Sequence, residues 1–157
     1  MDIQYLINSA KQLQQPSATA ATEFETSRDG LAEELNHRMS NRPDLEKLIG
    51  PGNLEMMQDN SRNFCRFMAS MFLAYEPEVL TQTALWVFRA YRSHGFKTTY
   101  WAANLDTFVG ITRDRIASEH FKEIYPFFQW LIVNIPVFTQ ISDQQMADPI
   151  LPAPRHG

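Results

Sequence analysis

Three places in the sequence carry side chains that could do chemistry. The first is residues 59–66, Asp-Asn-Ser-Arg-Asn-Phe-Cys-Arg. Asp59, Asn60, Arg62 and Arg66 bring carboxylate, amide and guanidinium groups to a stretch that soon turns strongly apolar. Such a run is either a solvated helix start, the usual fate of charge-rich turns, or the polar edge of a pocket or partner site. The second is Cys65, the only cysteine. Buried between Phe64 and Phe67 it is an inert small hydrophobe, whereas exposed near Arg62 and Arg66 it would ionise more easily. No histidine stands near it to act as a base, so nucleophilic catalysis is not expected. The third is His94, just before Gly95. A histidine there either complements the dipole at a helix C-terminus or serves as an axial haem ligand.

The other histidines, His37, His120 and His156, form no paired metal-binding spacing, and one cysteine cannot build a zinc site. Carboxylates at Glu33, Glu34, Asp106, Asp114, Glu119 and Glu123 fall mostly off the apolar stripes and read as solvated. No catalytic or metal-binding constellation is expected. The residues expected to touch a ligand are therefore Asp59, Asn60, Arg62, Cys65, Arg66 and His94.

The elements that must position them are helices. Apolar residues recur at helical spacing in residues 1–14 (Ile3, Leu6, Ile7) and 18–39 (Phe24, Leu31, Leu35, Met39). Gly50-Pro51-Gly52 is a loop, and Asn53 is a natural N-cap for the next helix. In that helix Phe64, Phe67, Met68, Met71, Phe72 and Tyr75 form one stripe. Pro77 suits a first helical position, and Leu80, Ala84, Val87, Phe88 and Tyr91 make the inner face of the helix it starts. Gly95 at its end can take a positive φ, with Phe96 folding back. Thr98 or Thr99, then Ser118, are expected to cap two further helices. The last of these carries Pro126 and an apolar row from Phe121 to Ile135. The four helix-patterned segments of residues 53–141 are expected to supply the core.

The 157 residues fit one domain, drawn here as residues 1–142 with a Pro-containing tail at 143–157. Fourteen basic residues against eighteen acidic ones, net −4, lack the basic face that a nucleic-acid backbone requires. No apolar run is long enough to span a bilayer, no secretory leader is visible, and a lone cysteine suits a reducing compartment. A cytoplasmic protein is expected. Eleven Phe, five Tyr and three Trp exceed what one core of this size needs. If Trp86, Tyr100 and Trp130 are exposed, a homodimer would cover them. Met56, Met57, Met68 and Met71 could give an apolar ligand or partner a plastic lining.

The order of these features carries a resemblance. Phe-Cys-Arg-Phe-Met-Ala-Ser-Met-Phe, then Glu-Pro-Glu-Val-Leu, then Trp-Val-Phe-Arg-Ala-Tyr-Arg-Ser-His-Gly-Phe precede another amphipathic helix. About a third of the chain thereby resembles the globin-like helical domains at the amino end of stressosome (RsbR-type) sensor proteins. More distantly it is similar to phycobiliproteins. The resemblance implies an all-α, globin-like bundle of about six or seven helices. It also implies a non-haem sensory or interaction module, often dimeric, and a chain that ends after a short tail would signal through a separate partner. Phycobiliproteins hold a bilin through Cys-x-Arg-Asp, which is absent here. Aligned on Gly95, Met57 falls near that cysteine's place. A covalent bilin is not implied, while a non-covalent tetrapyrrole stays open. No particular cofactor is fixed. Two alternatives stand beside the sensor: a tetrapyrrole- or lipid-binding protein, and an enzyme or assembly factor acting on a large hydrophobic substrate.

Overall fold

The computed structural model describes residues 1–146, and they form eight α-helices with no strand among them. They are α1 (Ile3–Ala10), α2 (Ala18–Ser40), α3 (Leu45–Ile49) and α4 (Leu54–Leu73), followed by α5 (Pro77–Ser93), α6 (Thr98–Arg115), α7 (Ser118–Val133) and α8 (Ile135–Gln145). The all-helical expectation holds. The count exceeds six or seven because the last apolar row is two helices. They meet at Asn134 at an angle of 47°, where the Asn134 side chain donates to the Trp130 carbonyl at 2.8 Å and Pro136 opens the next helix. Pro126 does not break α7, which runs through it to Val133. Helix α8 carries the chain to Gln145, past the boundary drawn at residue 142. The rest of the expected tail, residues 147–157, lies outside the described residues.

The helix ends show which local signals acted. Asp2 accepts from the Tyr5 amide at 3.0 Å and caps α1. Ser17 accepts from the Ala20 amide at 3.2 Å and caps α2, and its own amide donates to Glu123 of α7 at 2.7 Å. Asn53 sits at the N-cap of α4 but makes no cap bond. Its amide instead donates to the carbonyls of Ile49 at 2.7 Å and His94 at 2.8 Å, tying the end of α3 to the end of α5. Thr98 and Ser118 are not caps either, because each is the first helical residue, behind Lys97 and Ala117. Gly95 has φ +104, and the Phe96 amide returns to the Tyr91 carbonyl at 3.1 Å. Phe96 is buried with its ring 5.0 Å from that of Tyr91, as the capping pattern requires.

The core has two parts. Helix α2 lies across α4 and α6, and α6 pairs with α7. Phe24 sits where they meet, fully buried, 4.9 Å from Phe72 and 6.4 Å from both Phe108 and Phe128 between ring centroids. Edge-to-face rings of this kind add to what their burial already contributes. Helix α5 leans the other way, onto α1 and α8. Tyr100 and Trp130, expected at the surface, belong to this interior at 0% and 5% exposure. The Trp130 indole donates to Ser9 at 2.8 Å. Of the three aromatics whose exposure would favour a dimer, only Trp86 is partly exposed. Among the described residues no single helix is long and apolar enough to cross a membrane.

Candidate ligand-binding cavity

Helices α4 and α5 are consecutive, joined by residues 74–76, yet their backbones scarcely approach each other. Each turns one face toward the gap. From α4 come Asn60, Asn63, Phe64, Phe67 and Met68, and from α5 come Leu80, Thr83, Ala84, Val87, Phe88 and Tyr91. Both sets follow i, i+3, i+4, i+7, i+8, which places them on a single side of a helix. Trp86 adds to the α5 wall; Trp101, Asn104 and Leu105 of α6 and Leu131, Ile135 and Phe138 of α7 and α8 close the space. The result is a cavity of about 300 Å³, the lower end of the range for small-molecule sites. Exposed Asn63 and half-buried Phe67, Ala84 and Val87 mark where it reaches the surface.

The lining is apolar with a few polar atoms, and none of its residues is charged. Some of these atoms are engaged. Asn104 donates to the Tyr100 hydroxyl at 3.0 Å. Burial pushes the Tyr100 phenol well above its ordinary range, while a hydrogen bond with Asn60 pulls the other way. Burial, and then the nearby Asp59 carboxylate, likewise raise Tyr91. Two atoms are not engaged: the Trp101 indole nitrogen and the Thr83 hydroxyl are buried with no hydrogen-bond partner. Their counterparts elsewhere are satisfied. Thr81, Thr107, Thr112 and Thr139 donate back to the carbonyl four residues earlier at 2.8–2.9 Å, and Trp130 has Ser9. A buried polar atom without a partner costs the desolvation of that group, and these two lie behind different walls, Thr83 on α5 and Trp101 on α6.

Of the six residues expected to touch a ligand, only Asn60 lines this cavity. Asp59 and Arg62 pair with each other on the exposed side of α4, and exposed Arg66 donates to Asn63 at 3.1 Å. Cys65 faces the α2 side of the core at 1% exposure, where burial pushes its thiol up to about 12 and adjacent Asp29 adds to the shift. That is an inert cysteine rather than a nucleophile. His94 is exposed at the end of α5, away from the cavity, which does not fit an axial haem ligand. Among the four methionines, Met68 alone lines the space. Among the described residues no group of three or more His, Cys, Asp or Glu could hold a metal ion.

Sequence reading had found the α5 face except for Thr83, and it had not placed Asn104 on a wall. Thr83 stands at i+3 from Leu80, so its position on the face was readable. Its unmet hydroxyl was not. Compared with protein-family models, curated proteins and solved structures, the chain shows no significant match.

Proposed function

We propose that this chain is a globin-like, non-catalytic module that holds a small, largely apolar ligand between α4 and α5 and reports its presence to a separate protein. The observation that carries this reading is the cavity itself. Two neighbouring helices present regular apolar faces that do not close on each other, and the space between them is lined almost wholly by apolar side chains with no charged group. Left empty, such a space forfeits dispersion contacts along its walls, so an occupant would stabilise the fold. The globin-like part draws support from the all-helical architecture, in which α4 to α8 enclose a cavity, as helices enclose the ligand pocket of a globin. The walls offer amides, a hydroxyl and an indole rather than a base beside a nucleophile, which favours binding over turnover.

Helix α5 is placed to transmit occupancy. It forms one wall of the cavity and packs on α1 and α8 with its other sides. Arg92 near its end pairs with Asp143 at 2.7 Å and donates to the Ser142 hydroxyl, both on α8. A ligand that prefers one separation of α4 and α5 would shift this connection by population.

Thermal unfolding with increasing naphthalene, a two-ring apolar probe, tests the reading. The melting temperature should rise with ligand concentration as mass action requires. A melting temperature that stays flat up to the probe's solubility would count against it.

A further inference from the structure

The mouth of this cavity differs in charge from its interior. None of the lining residues is charged, so an ionised group drawn inside would lose its hydration without a counter-charge. A charged head has its place only at the rim. Beside the mouth, Arg62 and Arg66 stand one turn apart on the exposed side of α4. Asp59 neutralises Arg62. Arg66 pairs with no carboxylate among the described residues, and its guanidinium donates to the Asn63 side chain at 3.1 Å. Asn63 is the exposed residue of the lining, and Phe67, next to Arg66 in the chain, is half-buried at the same opening. An exposed cation without a counter-ion is thus held within hydrogen-bond distance of a residue of the mouth.

Volume bounds the apolar part of an occupant. About 300 Å³ is twice the roughly 150 Å³ that holds benzene, so about ten to twelve carbon atoms fit. The lining covers residues 60–68 of α4 and 80–91 of α5, about 12 Å and about 16 Å of helix at the usual rise per residue, which gives room for an extended body.

We infer that the site takes an amphipathic carboxylate, whose acyl chain of about ten carbons fills the cavity while its head stays at the mouth, paired with Arg66. This rests on the ligand-binding reading above and names the class of ligand. A guanidinium meets a carboxylate through two parallel hydrogen bonds, whereas a cationic head would be repelled from the same place.

Calorimetric titration with three ten-carbon chains tests it: decanoate, decan-1-ol and decylamine, each kept below the concentration at which it self-associates. Decanoate should bind about threefold to fivefold more tightly than decanol, the worth of one exposed ion pair, and decylamine most weakly. Added salt should shrink the decanoate advantage. Arg66→Met, which keeps the apolar stem and removes the charge, should bring decanoate down to the level of decanol and leave decanol within about twofold. Arg66→Glu should place decylamine above decanoate. Equal binding of decanoate and decylamine to the wild type would overturn the inference and leave the ligand-binding reading standing. So would a decanoate advantage that survives Arg66→Met in folded protein. If none of the three chains binds while naphthalene does, the inference falls alone; if naphthalene fails as well, the reading beneath it falls too.

Discussion

Cys65 and Asn53 show how single side chains take roles that their neighbours in sequence do not suggest. Cys65 has Arg66 next to it and Arg62 one turn away, yet its thiol points into the core and is held up near 12. At pH 8 a disulfide-exchange reagent should therefore modify the folded protein far more slowly than the protein in denaturant. The same shift fixes a pH dependence. The unfolded thiol ionises near 9, whereas the folded one keeps its proton until about 12, so the unfolded state binds fewer protons between those values. Stability should fall as pH rises through that window, and Cys65→Ala should flatten the fall in urea melts at pH 8 to 11. Asn53 binds two carbonyls from different elements. Asn53→Ala removes both bonds and should cost about 1 kcal/mol, since water can reach the His94 carbonyl; an ordinary N-cap loss costs about the same.

At the scale of elements, the sequence was legible wherever a helix is set by local rules. Pro77 does start α5 and Gly95 does end it at positive φ, because those positions depend on backbone geometry alone. Gly95→Ala, forcing a β-carbon into φ +104, should destabilise by about 1–2 kcal/mol, and chemical denaturation would read it. Capping by Thr98 and Ser118 was not legible in the same way. Several hydroxyl residues near a helix start compete, and the backbone chose Lys97 and Ala117. The Ala117 amide instead donates to Glu23 of α2 at 3.2 Å, a partner 94 residues away that no local window contains. The break between α7 and α8 was hidden by an apolar row that continues through it, although Asn134 and Pro136 marked the place.

At the scale of the molecule, the core follows from aromatic periodicity, and the site does not. Phe24 was readable as an inward residue, but its position at the meeting of Phe72, Phe108 and Phe128 needs the tertiary fold. Phe24→Ala should cost about 3–5 kcal/mol, a large part of a typical domain's 5–15 kcal/mol. The α4 and α5 stripes look in sequence like two faces that bury each other. That they stand apart is decided by how α5 packs on α1 and α8 while α4 packs on α2, a balance of contacts distant along the chain. This is why the polar run at residues 59–66 drew notice while Thr83 did not.

The central claim is that the space between α4 and α5 is a binding site and not a packing defect. Ala84 lines it, and Ala84→Phe would place a ring there, taking about half of the 300 Å³ by comparison with benzene's cavity. Calorimetric titration with naphthalene of the wild-type protein and this variant tests the claim most directly. Binding to the wild type should be saturable and one-to-one, and the variant, its melting temperature unchanged or raised, should bind none. Equal binding to both folded proteins would contradict the claim.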